Sequence, residues 1–197
     1  EYYSEDPYLS GTIAAHYVMG IQSEGTAACV KHFAANSQET NRNANDSRVS
    51  QRALRELYLR TFELAVRISN PWTVMTAYNS INGKPTCEDI SLTETVLRGE
   101  WNYKGLVVSD WNAGSNATAS MVAGNDMLQP GQDKQYHELL ANARNGRLPM
   151  AVLDRNVKRI LQFIVKCHNF NNYTYSNEPD LKQHAADDRK IGAEGMV

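Results

Sequence analysis

Asp110 follows the wholly apolar run Leu106-Val107-Val108 and is followed by Trp111. A carboxylate released at the carboxyl end of a buried strand can attack an electrophilic carbon or serve as a base. It can equally cap the next short helix, and position alone leaves both readings open. Trp111 offers a flat apolar face of the kind sugar rings prefer, or simply core volume. Lys31 and His32 stand side by side near the end of an earlier apolar run. Adjacent donors at a strand end suit neighbouring hydroxyls or an anion. A surface lysine beside a structural histidine is the plain alternative, and a Schiff base on Lys31 is the rival chemistry. Tyr78-Asn79 ends another run and Asp126 a fourth, where rim hydrogen bonding is expected of Asp126 rather than catalysis. Asn36, Glu39 and Arg42 recur at spacing three, so Glu39 and Arg42 can pair and brace the loop after Lys31-His32. His16, His137, His168 and His184 fall on expected helices or a linker and are read as bystanders.

Groups so far apart in the chain need a scaffold, and short apolar runs alternating with amphipathic stretches supply one: repeated strand and helix units around a parallel sheet. Strands are expected over Ala27 to Phe33, Trp72 to Tyr78, Gly105 to Ser109 and Met121 to Leu128. Helices are expected from Ser10, with its own side chain as cap, to about Ser23, and from Ser50 to Ile68 with Leu54, Leu57, Tyr58, Phe62, Ala65 and Ile68 on one face. Further helices run from a capping box at Ser91 and Glu94 to about Glu100, from Lys134 to Asn145, and from Val152 to Lys166. Asn79 to Pro85 reads as turn and His168 to Pro179 as linker. The fold class is α/β. The rhythm suits part of a (β/α)8 barrel of TIM type, which takes about 250 residues, better than an open nucleotide-binding sheet. No GxGxxG or GxxxxGK[ST] loop is present to cradle a phosphate.

The chain has 197 residues, 42% of them hydrophobic and 21% charged, with a net charge of −2. That balance excludes disorder and a collagen-like fold, and it argues against nucleic acid or an anionic membrane as the main partner. No apolar run approaches the ~18 residues of a membrane span. Cys29, Cys87 and Cys167 are odd in number and widely spaced, so they read as free thiols rather than a disulfide framework or a metal site. Unpaired thiols favour a reducing, cytoplasmic compartment. The chain opens on Glu1-Tyr2-Tyr3 and stops at Gly195-Met196-Val197 without a cap or turn, as though both ends lay inside a longer polypeptide.

Several segments together resemble the N-terminal barrel domain of glycoside hydrolase family 3, nearest its β-glucosidases. Ser4-Glu5-Asp6-Pro7-Tyr8-Leu9-Ser10-Gly11 is similar to the family's EDPYLSG segment, and the stretch from Lys31-His32-Phe33 to Asn36, Gln38-Glu39 and Arg42 to its KHF…N.QE..R segment. Arg52 to Leu59 and Val74 to Gly83 fit as well. Leu97-Arg98-Gly99-Glu100-Trp101-Asn102-Tyr103-Lys104-Gly105 through Ser109-Asp110-Trp111 resembles its nucleophile signature throughout. The resemblance implies that Asp110 is the nucleophile, that Lys31 and His32 hydrogen-bond the sugar in the −1 subsite, and that Met75, Tyr78 and Trp111 line it. It implies retaining hydrolysis of terminal β-D-glucosyl residues, with no metal or organic cofactor, on a β-linked oligosaccharide or glucoside.

The resemblance also divides the chain. Residues 1–167 would be part of the barrel, and 168–197 a linker with the start of an α/β sandwich domain. That second domain, elsewhere in the same polypeptide, would supply the general acid/base, and upstream segments a binding Arg and Asp. Ala34-Ala35-Asn36-Ser37-Gln38 stands where the N-acetylglucosaminidase branch carries a KHFPGHG-like loop, which disfavours that activity. Trp111, where the xylosidase branch usually has Cys, points to glucosides. A related exo-glycosidase such as a β-xylosidase, or an inactive carbohydrate-binding fragment, is the alternative.

Overall fold

The computed structural model describes residues 3–171, 174 and 176–196. Parts of the expected linker and of both terminal segments, at Glu1, Tyr2, Asn172, Tyr173, Tyr175 and Val197, lie outside the described residues. The chain runs α1 (Pro7–Ser23), β1 (Cys29–Phe33), β2 (Asp46–Ser47), α2 (51–69), β3 (Thr73–Thr76), β4 (Ser80–Ile81), β5 (Lys84–Pro85) and α3 (Ser91–Glu100). Then come β6 (Leu106–Val108), α4 (Ala117–Ala123), α5 (Asp133–Arg144), α6 (Met150–Ile164) and α7 (Leu181–Glu194). β1, β3 and β6 form a parallel sheet in the order β1-β3-β6, with α2 and α3 in the connections, so the fold is α/β. A second small sheet, β2-β4-β5, occupies part of the stretch expected as turn.

Local physics sets the element ends, and two of them differ from expectation. α1 begins at Pro7, not Ser10: the Asp6 carboxylate accepts from the Tyr8 and Leu9 amides at 2.8 and 3.2 Å, and Pro7 fills the first helical position, where no N–H is needed. Ser10 is instead buried inside the helix. α3 likewise takes its cap from Asp89, whose Oδ1 accepts from the Ser91 amide and hydroxyl at 2.9 and 2.7 Å, so Ser91 is not the head of a capping box.

In α2, Leu54–Tyr58 winds more widely, with the Leu59 amide reaching back five residues to the Leu54 carbonyl. One extra residue in a turn rotates everything after it. Leu57, Tyr58 and Ile68, expected inward, are exposed, and Leu59 takes the buried place.

The largest departure is at 121–128. Met121 belongs to α4, which Gly124 closes with φ +112°, and the expected fourth strand shrinks to a single bridge between Val108 and Met127. The core packs around Phe33 at the end of β1, which meets Phe62 of α2 edge-on at 5.2 Å and Trp101 after α3 at 5.9 Å. Anchoring Phe33 fixes the strand end that carries Lys31 and His32.

The segment expected as linker begins with a short turn, His168–Asn171, whose His168 Nε2 contacts the Glu24 carbonyl at 2.6 Å. No described helix is long and apolar enough to cross a membrane.

Candidate functional site

β6 delivers Asp110 at its carboxyl end, buried at 6% exposure. The helix-cap role open in sequence is not what it performs. Its Oδ1 accepts from the amide of its own neighbour Trp111 at 2.7 Å, whereas the next helix is capped by Asn116. Its Oδ2 faces His32 Nε2 at 3.4 Å. Strand alternation would send Lys31 and His32 to opposite faces, and the register shows how His32 comes to face β6. Val30 pairs with Val74 and Phe33 with Thr76, so three steps along β1 match two along β3, and the extra residue is a bulge at Lys31-His32. His32 is buried beside Asp110, while exposed Lys31 lines a groove of about 970 Å³ shared with Tyr17, Cys29, Asn36, Glu39 and Phe62. Neither His32 nor Asp110 lines that groove.

Tyr78 is half-buried and stands against Asp110. Burial foremost, then the Asp110 charge and a hydrogen bond to it, raise the phenol pKa, and Arg42 opposes them. The phenol, protonated at neutral pH as any tyrosine is, faces that carboxylate as a donor. The Arg42 guanidinium lies over the Tyr78 ring at 4.6 Å and is held by Glu39 at 3.0 Å. The expected Glu39–Arg42 pair thus forms, and its stacking on Tyr78 was not foreseeable from spacing. Met75 pairs with Val108 across the sheet and is half-buried below Asp110. Trp111, 56% exposed, extends the surface beyond the carboxylate. The Cys29 thiol, open to the groove yet flanked by protein, has its pKa raised by desolvation, lowered by Thr73 and Lys31, and raised again by Asp110.

Asp126 is not at the rim. It is 1% exposed beneath the site, between Arg98 Nη2 at 2.7 Å and Arg159 Nη1 at 3.0 Å. Burial foremost raises its pKa, against the pull of Arg98, the Val107 amide and Arg159. Sequence reasoning also gave Asn79 no part beyond a strand end. Its buried amide donates to the carbonyls of Ala34 and Ala35 at 3.2 and 3.3 Å, fixing the loop that follows His32. Nothing in the sequence marked it, because Asn79 opens the turn-type stretch Asn79-Ser80-Ile81-Asn82-Gly83, where an asparagine is ordinary. Among the described residues no group of three or more His, Cys, Asp or Glu is placed to hold a metal ion.

A buried carboxylate flanked by an imidazole and a phenol, with an indole at its outer side, can attack or stabilise a developing cation while neighbouring donors hold hydroxyls. The family model described as "Glycosyl hydrolase family 3 N terminal domain" matches residues 1–163. Beta-glucosidase B of Emericella nidulans is 42% identical over 202 residues, covering all of this chain and 24% of that protein. An exo-alpha-(1->6)-L-arabinopyranosidase of Bifidobacterium breve is 40% identical over 89% of this chain and 23% of its own length. The structure of beta-glucosidase 3B from Thermotoga neapolitana in complex with glucose superposes with a TM-score of 0.95 at 49% identity, covering 99% of this chain and 28% of that one. The chain spans about a quarter of the length of these relatives.

Proposed function

The chain belongs to glycosyl hydrolase family 3, and from that premise we propose that it carries the nucleophile half of a retaining exo-β-glucosidase. The observation that supports this best is the buried Asp110 with Oδ2 at 3.4 Å from His32 Nε2 and the Tyr78 phenol beside it. An Asp110 oxygen attacks the anomeric carbon of a terminal β-D-glucosyl residue. The bond to the leaving oxygen breaks as a carboxylic acid protonates it, and a glycosyl ester of Asp110 remains. Water, deprotonated by the same second group, then displaces Asp110 and restores the original anomeric configuration. Retention requires that second carboxyl group about 5 to 5.5 Å away, and we assign it to a segment of the polypeptide outside residues 1–197.

Lys31 and His32 hold hydroxyls of the sugar, bonds that strengthen as the ring gains positive charge. Met75, Tyr78 and Trp111 form the wall of the −1 subsite. Residues 1–167 are read as part of a (β/α)8 barrel, with β1, β3 and β6 among its strands, and 168–197 as the passage to a second domain that includes α7. A pentopyranoside is the second reading, supported by the arabinopyranosidase relative.

The test is trapping. The full-length protein is incubated with a 2-deoxy-2-fluoro-β-glucosyl reagent bearing a good leaving group, and the labelled peptide is mapped. A stoichiometric label on Asp110, abolished in Asp110→Asn, is the expected result. A label on another residue, or turnover in Asp110→Asn close to wild type, overturns the assignment. Faster trapping by an arabinopyranosyl reagent selects the second reading.

A further inference from the structure

Val107 lies in the middle of β6, three residues before Asp110. On one side it pairs with Val74 of β3. On the other, where a fourth strand was expected, Asp126 bonds both of its peptide groups, with the Met127 amide a second, longer donor to its carbonyl at 3.3 Å. The Asp126 amide donates to the Val107 carbonyl at 2.7 Å, and the Val107 amide donates to Asp126 Oδ2 at 2.8 Å. A side-chain carboxylate thus stands in for a strand carbonyl. The same Oδ2 accepts from Arg98 at 2.7 Å, Oδ1 accepts from Arg159 of α6 at 3.0 Å, and Arg98 also donates to the Gly105 carbonyl at 3.0 Å, just ahead of β6.

From Asp126 the chain continues alongside the site. The Ser109 amide donates to the Met127 carbonyl at 3.0 Å, the Gln129 amide to Ser109 Oγ at 2.9 Å, and the Asn112 amide to the Gln129 carbonyl at 3.0 Å. Ser109 and Asn112, which bracket Asp110-Trp111, are therefore tied to the segment 126–129, and Asp126 is where that segment is fastened. A strand carbonyl would satisfy the Val107 amide without any charge. Buried ion pairs contribute little net stability over apolar packing, and their best-attested use is to specify register.

We propose that Asp126 is a positioning residue for Asp110: gripped by Arg98 and Arg159, its carboxylate sets the register of 126–129 against 107–112 and so holds Asp110 opposite His32. This rests on the reading of Asp110 as nucleophile.

The test compares Asp126→Asn, Arg159→Met and Arg159→Lys in the full-length protein with Leu148→Ala, which hollows a fully buried site outside this network. Asp126→Asn and Arg159→Met should lower kcat on an activated β-glucoside about 10²-fold with KM changed less than about 3-fold, the pattern of a reacting group misplaced by about 1 Å. Arg159→Lys, which keeps the charge, should recover most of the kcat lost in Arg159→Met. Leu148→Ala should lower Tm while kcat, at a temperature where every variant is folded, stays near wild type. A kcat loss in Asp126→Asn no larger than in Leu148→Ala overturns the proposal. If Asp126→Asn does not fold, wild-type kcat in Arg159→Met overturns it. The two readings fail separately. A fluoroglucosyl label away from Asp110 in the wild-type protein removes the nucleophile, whereas equal labelling rates at Asp110 in wild type and Asp126→Asn remove only the positioning role.

Discussion

Tyr78 shows how much of a site is set by what surrounds one residue. Its phenol is protonated at neutral pH, as an ordinary tyrosine is, and burial and the Asp110 charge push its pKa further up against Arg42, so it offers a donor to a carboxylate that must stay in place through bond making. Tyr78→Phe removes that donor and leaves the ring under Arg42. Because a hydrogen bond to a charged group is worth about 1.5 to 3 kcal/mol, kcat/KM on an activated β-glucoside should fall roughly 10- to 100-fold with little change in Tm. An unchanged kcat/KM would reduce Tyr78 to a wall of the pocket. Asp110 was legible as a candidate because three apolar residues fix a strand and so its carboxyl end. Strand alternation already separates Lys31 from His32, but the bulge that brings His32 against Asp110 was not legible, since a bulge depends on the partner strand and leaves no mark in hydrophobic spacing. The descent of Asp126 from rim to interior was hidden for a related reason: its partners Arg98 and Arg159 come from α3 and α6, far off in the chain.

At the scale of elements, close approach of helices does the positioning. A methyl group on Gly11 of α1 would lie 2.7 Å from Leu64 Cβ and 2.9 Å from the Thr61 carbonyl oxygen of α2. Backbone cannot yield there cheaply, so Gly11→Ala should destabilise the protein by roughly 1 to 3 kcal/mol, read as a lower midpoint in urea. A midpoint at or above wild type would mean the helices can slide apart. α2 is tied to α3 by Arg55, which grips the Glu100 carboxylate with both terminal guanidinium nitrogens, Nη2 at 2.9 Å. The hydrogen bond from Arg55 holds the Glu100 carboxyl below its usual range. Glu63 is lowered too, its hydrogen bonds from Arg60 and Arg67 overcoming the opposing effect of burial.

A lowered folded pKa means stability that is present above the ordinary glutamate value near 4.3 and is lost as pH falls through the folded value. Both carboxylates are partly exposed, so the Arg55 pair should contribute only about 0.5 kcal/mol. The Tm difference between wild type and Arg55→Ala should be measurable at pH 6 in low salt and vanish near pH 3 or in 1 M NaCl. A difference that persists at pH 3 would assign it to packing of the arginine stem. The helices α1, α2, α3, α5 and α6 follow from helical periodicity and cap residues, whereas α4 and α7 were not expected, and the inward face of α2 was missed because one wide turn at 54–58 shifts the phase of everything after it.

Over the whole molecule, the sheet is open where the site needs it closed. Among the described residues β1 has no strand on its outer side, and beyond β6 there is a single bridge at Met127. Leu9, Ile13 and Tyr17 are exposed along α1, and Val157, Leu161 and Ile164 along α6. An unpaired parallel edge beside exposed apolar helix faces is a template for association with other chains. If further strand and helix units of the polypeptide cover these surfaces, as the barrel reading requires, residues 1–197 produced alone should bind a hydrophobic dye and scatter light as oligomers at micromolar concentration, and the full-length protein should do neither. The isolated chain should also fail to turn over an activated β-glucoside, since the second carboxyl group is assigned elsewhere. A monodisperse monomer of 197 residues without dye binding would show that β1 is a finished edge, and the barrel reading would fall. Turnover by that monomer would further place the acid/base within this chain, and the assignment to a second domain would fall with it.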